Sequence, residues 1–468
     1  MKTLMDAVRG ALETSGAARV LCAVSGGCDS MALLHALYRL RNERPLELMA
    51  SHVQHGLRGQ DSLEDERFVR RMCQQLGVPL LVEKAELSGT MDDPGMETRA
   101  RDCRRAIFVR QMQTHHMDAL LTAHHRDDQT ETVLLHLLRG AGMEGLCGMQ
   151  PVVAFGCGVL LRPFLALPRK TIADAMRAEG LDWREDQSNQ QAVTPRNALR
   201  LQILPELEQL FSQCGAHIAQ TAQALQADEA YLRQQADELY REAAYTMPPL
   251  FLLDRQKLMQ APRALSVRAL RRWWREGLAA GGFSPEERTL SHQDTEQLYR
   301  LMHQSSGSIN LPCGLMAAAG QHHLHLLRQS GEPLADAQPC EVLLKPGEQV
   351  YRLMHATVTQ RPSDGAAPNA NDTAVLTPDI LARRPVLRAP RPGDRIQPLG
   401  APGSKPLRRF LTDRHIDPAL RPALTVLACG SDVLWIPQIC TAEALRITHA
   451  PDGCVRLDGA MTFWPHRS

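Results

Sequence analysis

The apolar run Val20-Leu21-Cys22-Ala23-Val24 stops at Ser25-Gly26-Gly27-Cys28-Asp29-Ser30, and the helical pattern Met31, Leu33, Leu34, Leu37, Leu40 begins at once. A strand that passes through a glycine turn straight into a helix constrains the fold more than any other stretch of this chain. It aims successive backbone N–H groups and a helix N-terminus into one small concavity, the arrangement by which proteins hold phosphate groups. The glycines allow close backbone approach, the serine hydroxyls add donors, and Asp29 can hold a magnesium ion bridging phosphate oxygens. Ser25, Gly26, Gly27, Cys28, Asp29 and Ser30 are therefore read as a nucleotide-phosphate site. The G-x-x-x-x-G-K-[ST] string of a Walker loop occurs nowhere in the chain.

From Arg19 to about Leu204, strand-like runs (Val20 to Val24, Leu46 to Val53, Leu80 to Glu83, Ala119 to Ala123) alternate with amphipathic helical stretches. That alternation specifies an α/β domain, a doubly wound mainly parallel sheet. Ligands of such sheets gather beyond the carboxyl ends of the strands. Three polar strings fall at those ends: Ser25 to Ser30, His52-Val53-Gln54-His55-Gly56-Leu57-Arg58, and His124-His125-Arg126-Asp127-Asp128-Gln129-Thr130-Glu131-Thr132.

Beyond Pro205, Ile218, Ala222, Leu225, Leu232, Ala236 and Leu239 mark a connecting helix, too short in heptads for a sustained coiled coil. Leu250 to Leu327 reads as a small helical domain, in which Arg263, Arg268, Arg271, Arg272 and Arg275 surround Trp273 and Trp274. This helix reads equally as an RNA-binding face and as core indoles beside a solvated arginine face. Arg361 to Thr373, rich in Pro, Gly, Asn and Ala, reads as a loop. The last region reads as a small α+β domain with a lopsided charge: ten basic and three acidic residues between 383 and 421, a surplus of +7. The expected boundaries are 1–211 for the catalytic domain, 212–335 for the linker helix and middle domain, and 336–468 for the C-terminal domain.

The formal net charge of the whole chain is only +1. A uniformly basic nucleic-acid coat is thereby excluded, and any polyanion must be met by local patches such as 383–421. The twelve cysteines contain no C-x-x-C pair and no zinc-ligand spacing, which reads as reduced cytosolic thiols. Met1 to Gly16 carries Asp6 and Glu13 and lacks a long apolar core, so it reads as an amphipathic helix, not a presequence. No apolar run approaches the ~20 residues of a membrane span, since Val159 to Leu167 is broken by Arg162 and Pro163. A cytoplasmic location with no membrane partner is expected. No self-complementary surface can be read, which leaves a homodimer as open as a monomer.

Asp128 and Glu131 share one face at the start of a helix. Acids there suit the helix dipole, or bind a cationic substrate group or a metal opposite the phosphate loop. His52 and His55 lack further ligands at zinc spacing, and no zinc is assigned. Arg196 and Arg200, four apart in Arg196-Asn197-Ala198-Leu199-Arg200, can clamp a carboxylate or a phosphate.

The S-G-G-x-D-S string resembles the pyrophosphate loop of the N-type ATP pyrophosphatases, which split ATP into AMP and pyrophosphate. Several further strings follow in order: H-x-x-H-G-L-R, A-H-H-x-D-D-Q-x-E-T, Leu138-Arg139-Gly140-Ala141-Gly142-Met143-Glu144-Gly145-Leu146-Cys147-Gly148-Met149, E-D-x-S-N, R-N-x-x-R and L-P. Together they resemble the bacterial tRNA(Ile)-lysidine synthetases, and Arg391 through Arg421 to Trp435 is similar to the C-terminal domain of that family's longer members. The resemblance implies two-step ligation of free L-lysine to the cytidine at the first anticodon position of the isoleucine tRNA with anticodon CAU. ATP first adenylates the C2 oxygen, and the lysine side-chain amine then expels AMP.

Carried onto matching positions, the resemblance implies that Ser25 to Ser30 hold ATP and that Asp29 positions phosphate or Mg2+. It assigns Asp128 and Glu131 to the lysine ammoniums and Arg196 to the lysine carboxylate. Arg58, Arg200, Arg395, Lys405, Arg408 and Arg409 are expected at the tRNA. His124, His125 and Asp128 are all candidates for the base that deprotonates lysine. Two positions depart from the family's pattern: Cys28 where related thiolases often carry Lys, and Asp417 after Ile416 where Pro is expected. The competing readings are a tRNA 2-thiolase, disfavoured by the lack of C-x-x-C, an amide-forming synthetase, which would lack the basic domain, and a non-catalytic tRNA-binding protein.

Overall fold

A computed structural model of the chain describes residues 1–54, 60–85, 96–185, 194–246, 251–283, 290–332, 334, 341–353, 356–363, 371–416, 418–447 and 453–461. The chain divides into two compact units, Met1–Tyr231 and Leu232–Ser468.

In the first unit α1 (Lys2–Ser15) leads into β1 (Arg19–Ala23), and four residues separate β1 from α2 (Cys28–Leu40). There follow β2 (Glu47–Gln54), α3 (Gln60–Leu76), β3 (Leu80–Lys84), α4 (Met96–Thr114), β4 (Ala119–Leu121) and α5 (Arg126–Leu138). The short α6 (Met143–Leu146) precedes the hairpin β5 (Val152–Phe155) and β6 (Gly158–Leu161), then α7 (Arg169–Ala178). The six strands form one sheet in the order β3-β2-β1-β4-β6-β5, in which only the β5–β6 pair is antiparallel. Each of the four strands expected from the sequence lies within two residues of its expected ends.

Burial explains the arrangement. Leu21, Leu120 and Leu121 of the central strands are at most 1% exposed, as their near-continuous apolar runs require of a sheet covered on both faces. One face packs α1, α2 and α7 through Leu4, Val8, Leu12, Met31, Leu34, Ile172 and Met176. The other packs α4 through Phe108 and Met112. Because β1 is flanked by β2 on one side and β4 on the other, the strand order reverses at β1, and a crevice opens beyond the ends of β1 and β4. The unit closes with α8 (Pro195–Ala198), a π-helical turn (Leu199–Ile203), α9 (Leu204–Leu210) and the start of α10, which spans Cys214–Ala243.

In the second unit the helix expected at Arg263 is present as α12 (Arg263–Ala280), flanked by α11 (Arg255–Gln260) and α13 (His292–Met302). They are joined by a five-stranded antiparallel sheet absent from the sequence reading, with neighbouring strands at 244–245, 252–254, 323–328, 315–319 and 307–311. Its strands are short, and Leu315–Ala319 (LMAAA) is mostly alanine, a residue with little strand preference. Trp273 and Trp274 of α12 are 0% and 1% exposed, buried in the core these helices share with the sheet. The indoles are therefore core and offer no stacking platform. Leu252 of this sheet packs with Leu420 and Ala423 of the C-terminal region. That region carries two further sheets of seven and four strands. No helix among the described residues is long and apolar enough to cross a membrane.

Candidate active site

The crevice beyond β1 and β4 is lined by the two polar strings that follow those strands. In the first, Gly26 adopts φ 92°, a left-handed conformation that other residues reach only with strain. Ser30 ties the turn: its Oγ accepts from Ser25 N–H at 3.1 Å and donates to Gly27 O at 3.0 Å. The Ser25 and Ser30 hydroxyls lie 3.1 Å apart. On the far side of the turn, Arg184 N–H donates to Gly26 O at 3.0 Å. His52 at the end of β2 donates from Nδ1 to Val24 O at 2.8 Å and so braces the loop from behind.

Asp29 sits in the first turn of α2. Its Oδ1 is buried and has no hydrogen-bond partner, and its Oδ2 lies 3.6 Å from Arg169 Nε and 3.7 Å from His125 Nε2. Burial pushes its carboxyl above the ordinary carboxylate range, with His125 and Arg169 opposing that shift. A buried carboxylate oxygen without a donor suits a divalent cation that takes its other ligands from phosphate and water. Among the described residues no cluster of three or more acidic, His or Cys side chains offers an all-protein metal cage. Burial also pushes the Cys28 thiol up to about 11, so it stays protonated near neutrality.

The second string starts α5. His125 is its N-cap: His125 Nδ1 accepts from Asp128 N–H at 3.3 Å, and Asp128 Oδ2 accepts from His125 N–H at 3.1 Å. Glu131, one turn on, is 1% exposed. Its charge is met by both arginines of the R-N-x-x-R string. Arg196 Nε donates to Oε2 at 2.8 Å, and Arg200 donates to Oε1 at 2.6 Å, to Oε2 at 2.9 Å and to Asp128 Oδ1 at 3.1 Å. Thr194 caps the helix that presents them, accepting from Asn197 N–H at 3.2 Å. The π-helical turn follows directly and contains Arg200.

Charge sets the local pKa values. Burial pushes Asp128 up, but His125, His124 and Arg196 outweigh it and hold its carboxyl below the ordinary value. Burial pushes His124 down to about 4, which makes it a weak proton acceptor near neutrality.

Other side chains of α5 fix its position. Gln129 Oε1 accepts from Met149 N–H at 2.7 Å while its Nε2 donates to Met149 O at 3.0 Å. Thr130 Oγ1 donates to Gly215 O at 3.0 Å, and His136 Nδ1 donates to Gly145 O at 2.6 Å. The glycine-rich run 138–149 thus serves as a docking partner for this helix. Gly148, at φ 61°, has no room for a Cβ, which would fall 2.7 Å from Gln129 Oε1.

Asp29, Asp128, Glu131, Arg196 and Arg200 therefore meet around one crevice. Arg200, expected at the tRNA, is placed on the acid pair. Arg58, His55 and Asp417 lie outside the described residues. In the second unit Arg395 holds Ser404 through its Oγ at 3.2 Å and its carbonyl at 3.0 Å, and Lys405 pairs with Asp413 at 2.8 Å. Arg408 and Arg409 are exposed on the helix Leu407–Asp413. The sequence reading missed Arg169, whose signal is a basic residue opening a helix just after a proline, and the half-buried Arg162. The latter interrupts an apolar run and donates to Gln150 O at 2.6 Å.

Comparison with known proteins gives this geometry a family. The PP-loop domain matches residues 2–207, and the TilS substrate C-terminal domain matches residues 386–457. A tRNA(Ile)-lysidine synthase of Symbiobacterium thermophilum is 33% identical over 94% of this chain and 93% of its own. The chain belongs to the tRNA(Ile)-lysidine synthase family. Relatives of the same name in Geobacter sulfurreducens (92% of this chain, 90% of its own) and Bacillus subtilis (94% and 93%) are 33% and 29% identical. This is a family of ligase-type enzymes built on an ATP-binding PP-loop domain.

Proposed function

We propose that the chain ligates free lysine to C2 of the cytidine at the first anticodon position of the isoleucine tRNA with anticodon CAU. The C2 oxygen attacks the α-phosphorus of ATP and releases pyrophosphate. The lysine side-chain amine then attacks C2, loses a proton, and breaks the C2–O bond to free AMP, leaving lysidine. The observation that carries this reading is the meeting of a phosphate-type loop and an arginine-clamped acid pair in one crevice. His125 Nε2 lies 3.7 Å from Asp29 of the loop and 3.4 Å from Asp128 of the pair.

Each residue has a task that suits its surroundings. Ser25 to Ser30 hold the ATP phosphates through the turn's N–H groups and hydroxyls. Asp29, whose buried Oδ1 has no partner, would hold Mg2+, which would supply neutralisation of phosphate charge. Arg169 faces the same phosphates. Asp128 and Glu131 receive the lysine ammoniums, and Arg196 receives the lysine carboxylate. In the ligand-free arrangement Glu131 already holds two guanidiniums, so lysine must exchange for one of them. Arg196 is the one suited to leave, because it holds Glu131 through Nε alone while Arg200 grips both carboxylate oxygens. Arg200 thus stays with the acid pair, and Arg58, Arg395, Lys405, Arg408 and Arg409 are the cations left for tRNA. The enzyme would work in the cytoplasm, where ATP, lysine and tRNA occur together.

The test is pyrophosphate release from ATP with and without lysine and with unmodified CAU isoleucine transcript. The proposal expects tRNA-dependent release of pyrophosphate, and of AMP only when lysine is added. A non-catalytic tRNA-binding protein would bind the transcript and release neither.

A further inference from the structure

We propose that His125 is a positioning residue that ties the phosphate loop to the acid pair through the one proton on its Nε2. The inference rests on the functional reading above for its assay, and on geometry for its argument. His125 is 3% exposed. Its Nδ1 is committed as an acceptor, taking the Asp128 N–H at 3.3 Å. A ring nitrogen that accepts carries no proton, so the ring proton is assigned to Nε2. That N–H faces two carboxylates from different elements: Asp128 Oδ2 at 3.4 Å and Asp29 Oδ2 at 3.7 Å. Both distances lie just beyond a good hydrogen bond, and such contacts commonly tighten when substrates load.

Two consequences follow. His125 has no free lone pair turned to the crevice, so it is not the base that takes a proton from lysine. It also makes the ATP side and the lysine side dependent on each other, because one donor orients an oxygen of each. Asp29 is held by little else on that oxygen, since its other neighbour is Arg169 at 3.6 Å.

Two substitutions separate this role from helix capping. His125→Asn places an amide oxygen where Nδ1 stands, which keeps the cap, but it has no donor at the place of Nε2. His125→Gln places an amide N–H near Nε2 and gives up the cap. The proposal predicts that H125N keeps the wild-type melting temperature while kcat for lysine-dependent AMP release falls about a hundredfold. It also predicts that the apparent KM values for ATP and lysine rise together. H125Q should melt earlier yet recover most of the lost activity. The reverse order, with H125N active and H125Q no better than its stability allows, would reduce His125 to a cap and overturn the proposal. So would an H125N that melts below H125Q. The ring nitrogens of the wild-type protein can also be read directly by 15N NMR, with a protonated Nε2 and an unprotonated Nδ1 expected. A protonated Nδ1 contradicts the assignment. Should the wild-type chain itself release no pyrophosphate, the functional reading fails, and the NMR result still decides the inference.

Discussion

The starts of α2 and α5 lie on the same crevice, and they are finished in opposite ways. At α2 the N-cap Gly27 contributes no side-chain bond, and the buried Asp29 Oδ1 has no partner. At α5 a capping box closes the first turn, and Asp128 and Glu131 are held by Arg196 and Arg200. One end leaves a buried carboxylate oxygen without a donor. The other is a pre-assembled ionic lattice, which under the proposed function a ligand must enter by exchange. Their surroundings move the two aspartates apart accordingly: burial raises Asp29 above the ordinary carboxylate range, while His125, His124 and Arg196 outweigh burial at Asp128 and hold it below.

The largest expected effect lies at the open end. Asp29→Asn should lower kcat for pyrophosphate release by about 10²–10³, the scale seen when one fixed electrostatic partner is lost. It should not destabilise the fold, because the native carboxyl is buried and unpartnered on Oδ1. A D29N protein with full activity, or one that unfolds, would break the contrast.

Next comes the filled end. Glu131→Gln leaves two arginines facing a neutral amide at a site 1% exposed. It should cost about 3 kcal/mol of stability, as removal of one partner from a buried ionic group does. The apparent KM for lysine should rise at least about tenfold, roughly 1.4 kcal/mol. Chemical denaturation and lysine titration read the two effects, and an unchanged lysine KM would remove Glu131 from the lysine site.

The pH dependence sharpens the same comparison. Asp128 is depressed in the fold, so its contribution is present above the unfolded carboxylate pKa of about 3.9 and is lost as pH falls below it. Asp128→Asn should therefore be destabilised at pH 7 and approach wild type in acid. Asp29 is raised, so its ionisation costs stability as pH rises through the folded pKa. Asp29→Asn should gain at pH 7, and that gain should vanish in acid. Melting curves across roughly pH 3 to 7, the range in which carboxylates titrate, would show the two differences with opposite sign.

The smallest effect on chemistry belongs to neither end. Replacing Arg395, Lys405, Arg408 and Arg409 together by alanine should weaken tRNA binding and flatten its log–log salt slope by about 3, given ~0.7–0.9 per phosphate contact. ATP binding should be unchanged. An unchanged salt slope rules the patch out.

Much of this was legible in local spacing. A glycine turn between an apolar run and a helical pattern marks β1 and α2, and i, i+3 acids mark α5. The four-residue spacing of Arg196 and Arg200 suggested a clamp for a carboxylate or a phosphate. What spacing could not supply is whose carboxylate. The partners are Asp128 and Glu131, sixty-five to seventy-two residues earlier, and only the folded sheet brings them together. The middle sheet escaped because LMAAA and HLHLLR carry weak strand signals. Trp273 and Trp274 were ambiguous because neighbours on a helix normally point about 100° apart, and both are buried only where core wraps the helix widely. His125 reads from the sequence as a candidate base, and spacing alone does not show that its Nδ1 caps α5.

The decisive measurement is to incubate the full chain with ATP, magnesium, free lysine and unmodified CAU isoleucine tRNA transcript, digest the RNA to nucleosides, and examine them by mass spectrometry. A lysine-modified cytidine that requires both ATP and lysine is the predicted result. ATP cleaved to AMP with no modified cytidine would contradict it, and would leave a PP-loop enzyme acting on some other substrate.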